Sequence, residues 1–366
     1  TLIVSIFSAL FYFGYGGLYL FSTNAFGLLE KYPLIAVPLF VLMASILERA
    51  GVAEDLFDAM SIFAGKLRGG VAIQTIVVAV ILAAMSGVMG GEIVMLGLVA
   101  LPQMLRLGYN RKMSIGLICA AGSLATLIPP SIIMIIYGLA AQVAIGDLFM
   151  AGAIPGIMLA TFYGIYVLVR CNLDHSMAPT AEEVAEARGR EMKLSREKMT
   201  AVGLSIFLIF CVMGSIYGGI ATVTEAASVG VVGAIFVALV RNSFSWNLLQ
   251  VALAGTMSTV GTIVWLILGA VSFVGIYNLI CGGDFLRSLF SNLGLPAIGI
   301  VFVMMAILVV LGTFMEWIAI AFITVPVFAP VVVGMAPELG LEPEWAAVWF
   351  VVLFVMNIQI YFLSPP

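Results

Sequence analysis

Several short stretches of this 366-residue chain set oxygen-bearing or conformationally free residues inside long apolar runs. Sodium is held by oxygen ligands, and helix ends supply carbonyl oxygens with partial negative charge. Glycine lets the backbone turn such oxygens inward. Pro129 and Pro130 lack N–H donors, which leaves upstream carbonyls such as those of Ala125 and Thr126 without helical partners. Ser86, Ser123 and Thr126 add hydroxyls. Ser86, Gly87, Gly122 and Thr126 therefore read as one cation site. The plainer alternative is packing glycines beside a simple kink. Gly312, Thr313, Glu316 and Ser364, with Asn357, read as a second cation site. Glu316 sits among Phe314, Met315, Trp317 and Ile318, where a carboxylate is costly in a bilayer and marks function by default. Its plainer reading is an interface residue with Trp317 as a belt aromatic. A helix starting at Ser131 points partial positive charge inward, which suits an organic anion. Ser86, Ser131 and Asn357 are the candidate substrate contacts. Glu225 follows Thr222 at capping-box spacing, so a cap is as good a reading as a functional role. Glu92 lies just past the first turn, where it complements a helix N-terminus.

These residues need elements that hold them at membrane depth. The chain is 63% hydrophobic and 9% charged, against about 25% charged in soluble domains. The expected fold class is an all-α polytopic membrane protein. Lys and Arg are thinly spread and the net charge is only −4, so no nucleic-acid face is expected. The four cysteines lie far apart, mostly beside apolar runs, and read as packing residues. His175 reads as a solvated loop residue. No Walker, Gly-x-Ser-x-Gly or His-Glu-x-x-His motif is present, and one loop histidine supplies no catalytic dyad, so the chain does not read as an enzyme.

About 20 apolar residues span a bilayer. Candidate spans are 1–22, 33–50, 145–169, 199–217, 219–241 and 252–280, with amphipathic, interfacial pieces at 54–66 and 284–293. Two pairs of arms, 70–105 and 295–334, each turn at a polar break. Each is followed by a long segment broken at a double proline, 113–142 and 347–366. Stretch 170–198 is the one long polar run and carries six basic residues, which places it in the cytoplasm. The first pair of arms is flanked by Lys66, Arg68, Arg106, Arg111 and Lys112, and the second by acidic residues, so the two open to opposite sides. This is an inverted repeat: a first half at 1–169, a linker at 170–198 and a second half at 199–366. Broken helices survive at membrane depth only where freed backbone meets protein, water or ligand. Arms this short, with turns lacking Asn, Asp and Lys, favour re-entrant hairpins. The pattern is that of a secondary transporter, with a channel or cation/proton antiporter without organic substrate as the alternative. Thr1 falls inside an apolar run and Pro366 directly follows Ser-Pro, so the chain reads as part of a longer protein.

Several long motifs resemble the large membrane subunit of TRAP transporters, the DctM-type permeases of the ion transporter superfamily. They are YPLIAVPLFVLMASILERAG (32–51), the SG turn before LPQM and GYNRKMS, GSLATLIPPSIIMIIYGLAAQVAIGDLFMAGAIPG (122–156), GGIATVTEAASVG (218–230) and GTFMEWIAIAFITVPVFAP (312–330). Departures are SGVMGG where the family has SGS and small residues, Glu316 where Asp is common and Val223 where Pro is common. The resemblance implies an elevator-type symporter in a bacterial inner membrane, with Na+ as coupling ion and a carboxylate or related organic acid as substrate. It also implies two partners, a small four-helix membrane subunit and a periplasmic substrate-binding protein.

Overall fold

The structure is a computed structural model describing residues 2–64, 67–87, 89–180, 182–184, 196–280, 282–291 and 294–363. All regular structure among the described residues is helical. In chain order the principal helices are α1 (Leu2–Phe13), α2 (Tyr15–Leu29), α3 (Ala36–Arg49), α4 (Val52–Ala64), α5 (Gly70–Ser86), α6 (Met89–Arg106), α7 (Arg111–Gly122) and α8 (Ile132–Ala141). There follow α9 (Ile145–Leu173), α10 (Arg196–Tyr217), α11 (Val223–Val240), α12 (Trp246–Leu279), α13 (Gly282–Ser291), α14 (Ala297–Gly312), α15 (Trp317–Gly334) and α16 (Pro343–Leu363). Six segments among the described residues are long and apolar enough to cross a membrane: Tyr32–Arg49, Ile145–Leu173, Val223–Val240, Trp246–Tyr277, Trp317–Gly334 and Pro343–Ile360. The chain is thus a multi-pass membrane protein.

Local chemistry accounts for the ends that matter. Asn110 caps α7, its side chain accepting from the N–H groups of Lys112 and Met113. Thr222 and Glu225 form the capping box their spacing predicted, so Glu225 has a structural task at the start of α11. α5 ends at Gly87, whose left-handed φ of 56° closes the helix.

Some boundaries differ from the sequence reading. The apolar run expected to span 1–22 is broken at Gly14 (φ 57°) and its second helix continues to Leu29. Apolarity is uninterrupted there, so only the backbone freedom of glycine marks the break. α12 begins at Trp246, before the expected 252, because Ser245 caps its first turn through the N–H of Leu248. The polar stretch 170–198 is not all linker: α9 runs into it and α10 starts within it. Its described first residues are tied down, with Arg68 donating to the carbonyls of His175 and Ala178 and the N–H of Asn110 to that of Met177. The Ser176 hydroxyl and backbone N–H hold the Asp174 carboxyl below the usual carboxylate range. His175 is exposed. The second double proline, with Ser364, lies outside the described residues.

The chain forms two compact units, each drawing on both sequence halves. One comprises 38–132 and 152–256. In it α5 and α6 pair as a helical hairpin, and α4 packs on α5 and α10. Asp55, 1% exposed, is ion-paired with Arg241 at 2.6 Å, and Arg241 also donates to the carbonyl of Ala50. The other comprises 1–37, 133–151 and 257–366. Its α14 and α15 pack against α16, and an aromatic chain runs through it from Tyr137 to Phe354, Phe350, Phe328 and Phe290. Lys31 there donates to the carbonyl of Leu139, in the last turn of α8.

Candidate functional site

The first hairpin tip sits on the first break. α7 ends at Gly122, Ser123–Thr126 form one turn of 3-10 helix, and the chain is irregular until α8 starts at Ile132. The Pro129–Pro130 peptide bond is cis. The Gly87 carbonyl accepts from the N–H of Ile132 at 3.3 Å. A Cβ on Gly87 would stand 2.3 Å from the Pro130 carbonyl oxygen, so only glycine permits this approach. Gly122 is needed for a second approach, since its Cβ would stand 2.4 Å from Ile93 on α6. Gly156, within α9, lets that helix pass close to Leu127 and Ile128.

The oxygens of this region are directed by local bonds. Ser123 Oγ donates to the Ala120 carbonyl, Thr126 Oγ1 to that of Ser123, and Ser131 Oγ to that of Thr126, at 2.7–2.8 Å. All three side chains are buried. The Thr126 carbonyl, expected to lack a helical partner, is therefore met by the Ser131 hydroxyl. Each hydroxyl donates its proton to the backbone of this break. The helix start expected to face an organic anion has its first N–H engaged by Gly87. Ser86 Oγ and both carboxylate oxygens of Glu92 are buried without a well-formed hydrogen bond among the described residues. Ser86 is a polar neighbour of that carboxylate. Glu92, the acidic residue in the first turn of α6, is 2% exposed.

The second hairpin tip is built differently. Glu316 is the N-cap of α15 and its Oε2 accepts from the N–H of Ile318 at 2.9 Å. It is half-buried, Gly312 is buried, and Thr313 and Phe314 are exposed. Thr313 Oγ1 donates to the Val310 carbonyl. Asn357, on α16, donates to the Met305 carbonyl at 2.9 Å and so braces α14, while its Oδ1 is buried without a partner among the described residues. Tyr137 was not anticipated. It is fully buried in α8, edge-on to Phe354 and Trp317, and its hydroxyl has no partner among the described residues. It lies within electrostatic reach of Glu316. The signal was present as the one phenol in the apolar run IIMIIYGLAA.

The structure thus brings Ser86 and Gly87 together with the Gly122–Ser131 break, and it keeps Gly312, Thr313 and Glu316 on one turn. Asn357 and Tyr137 belong to the same unit as that second turn. A buried polar atom without a partner costs roughly 1–3 kcal/mol. Among the described residues such atoms include the Ser86 hydroxyl and both Glu92 carboxylate oxygens near the first tip, and the Tyr137 hydroxyl and Asn357 Oδ1 in the unit that holds the second. Among the described residues no group of three or more His, Cys, Asp or Glu could hold a transition metal.

Comparison with known proteins gives a consistent picture. The family model described as "Tripartite ATP-independent periplasmic transporter, DctM component" matches residues 1–366. The C4-dicarboxylate TRAP transporter large permease protein DctM of Pseudomonas aeruginosa is 31% identical over 339 residues, covering 92% of this chain and 75% of that protein. The ectoine/5-hydroxyectoine TRAP transporter large permease protein UehC of Ruegeria pomeroyi is 33% identical over 320 residues, covering 84% and 70%. Among solved structures, the YdaH transporter of Alcanivorax borkumensis superposes with a TM-score of 0.62 at 16% identity, over 94% of this chain and 78% of that one. At that identity the likeness is one of fold.

Proposed function

Because the chain belongs to the DctM component family of tripartite ATP-independent periplasmic transporters, we propose that it is the large permease subunit of a sodium-coupled importer of an organic acid. Its place is the inner membrane of a bacterium. A small four-helix membrane subunit completes the membrane complex, and a periplasmic binding protein delivers the substrate. The carrying observation is the seating of the Gly87 tip on the Pro129–Pro130 break beside the bare oxygens of Ser86 and Glu92. One Na+ is taken by Ser86, Gly87, Gly122 and Thr126, with the Glu92 carboxylate as its counter-charge. A second is taken by Gly312, Thr313, Glu316 and Ser364. Acceptors that cost free energy when empty become ligands when a cation arrives, which ties the position of the hairpin tip to ion binding. Ser86 and Ser131 contact the anion.

The two hairpins are re-entrant, related as an inverted repeat, and carried through the membrane by an elevator motion. Supporting this, α5 and α6 are 17 and 18 residues long, or about 26 Å, slightly short of the ~30 Å hydrocarbon core. The relatives' C4-dicarboxylate and ectoine point to small carboxylate-bearing substrates.

The test is uptake into proteoliposomes holding this chain and its small subunit, with binding protein outside and a panel of organic acids. Imposing an inward sodium gradient should drive accumulation, and Glu92→Gln should weaken its dependence on sodium. Equal accumulation in potassium-only buffer would exclude sodium coupling, and ion flux with no organic solute moved would favour the channel or antiporter.

A further inference from the structure

A cavity of about 1140 Å³ lies between α7 and α9. Its walls are apolar and aromatic: Gly116, Leu117 and Ala120 from α7 face Phe162, Tyr163 and Tyr166 from α9. At one end stand Arg111, Lys112 and Arg170, and among the described residues no acidic one lines the cavity. Charge placement is informative. Arg111 and Lys112 occupy the first turn of α7, where the helix dipole disfavours cations. Neither side chain makes a hydrogen bond or ion pair among the described residues, and both are exposed. Arg170 is exposed in the last turn of α9, with Asp174 as an acidic neighbour outside the lining.

A cleft with an apolar body and a basic mouth matches an amphiphile whose head is anionic. The mouth carries the basic residues that mark the cytoplasmic side. Basic pockets between membrane helices on that side recognise anionic lipid head groups, and arginine binds phosphate through paired N–H groups.

We propose that this cleft holds one anionic phospholipid of the cytoplasmic leaflet, an acyl chain lying between α7 and α9 and the phosphate resting on Arg111, Lys112 and Arg170. The lipid braces α7, whose far end is the Gly122 break, and so touches the transport machinery without sharing a residue assigned to it.

Native mass spectrometry of the membrane complex, released from nanodiscs of equal phosphatidylglycerol and phosphatidylcholine, reads the site directly. The expected result is retention of one phosphatidylglycerol, favoured over phosphatidylcholine by roughly tenfold or more. Replacing Arg111, Lys112 and Arg170 together by Gln should abolish that preference. Gly116→Leu tests the apolar body separately. A side chain there meets open space, so the variant should fold, keep its charges and lose the lipid. Equal retention of both lipids, retention unchanged in both variants, or cross-links from Phe162 to the small subunit would each overturn the proposal. Failure of sodium-driven uptake would leave this result untouched.

Discussion

Glu316 holds the start of α15 with one carboxylate oxygen, so its removal has two separable effects. Glu316→Ala should cost about 1 kcal/mol through the lost cap and should also abolish sodium-driven uptake. Glu316→Asn keeps an N-cap and removes the charge. It should unfold at close to the parental temperature by thermal scanning and still fail to accumulate substrate. Sodium-dependent uptake by the Asn variant would remove Glu316 from coupling. The residue illustrates what a sequence shows at this scale. An acid among Phe314, Met315 and Trp317 is visible as costly, but the capping bond that lowers its cost depends on the local turn. Glu92 is the converse. It follows a glycine-rich turn and reads as a dipole partner, and only tertiary packing makes it 2% exposed. Tyr137 was missed because periodicity treats a phenol among Ile and Leu as one more core side chain.

Gly87 is where two elements meet, and an added methyl group there tests the docking. Alanine at φ 56° costs about 1–2 kcal/mol in backbone conformation alone, and its Cβ would press on the Pro130 carbonyl. Gly87→Ala should therefore insert and keep its helical content by circular dichroism, while uptake falls by at least about tenfold. Near-parental uptake would mean that the seated tip is not part of the cycle. α4 provides a second case. Its amphipathic pattern reads as an interfacial helix, yet one face packs on α5 and α10 and carries Asp55 into the protein. An apolar stripe along a helix tells that one face is covered, and leaves open whether lipid or protein covers it. Removing one partner of a fully buried pair costs about 3–5 kcal/mol, and here the cost is lower because Arg241 is partly exposed and keeps its bond to the Ala50 carbonyl. Asp55→Ala should thus lower the melting temperature, and adding Arg241→Met should recover most of the loss. A double variant as unstable as Asp55→Ala alone would place the effect elsewhere.

At the scale of the molecule, the helical class and the hairpin arms were legible because apolar length and glycine–proline punctuation carry that information along the chain. The break at Gly14 and the early start of α12 were not, since neither changes the apolar content of its run. The grouping into two units that each join distant segments was equally hidden. It depends on contacts between residues far apart in sequence. Transport belongs to this scale as well. Liposomes holding this chain and its small subunit should accumulate substrate only when the binding protein is supplied, and uptake from free substrate alone would contradict the tripartite reading. One further consequence follows from the hydrogen bond between the Gly87 carbonyl and the Ile132 amide. An anion seeking the start of α8 and the hairpin's own carbonyl are rivals for one donor. The ligand's observed affinity is then its intrinsic affinity multiplied by the fraction of molecules in which the tip has let go. Every 1.4 kcal/mol that favours the seated tip weakens apparent binding about tenfold. A cation that repositions the tip would sharpen the protein's grip on its substrate without touching it.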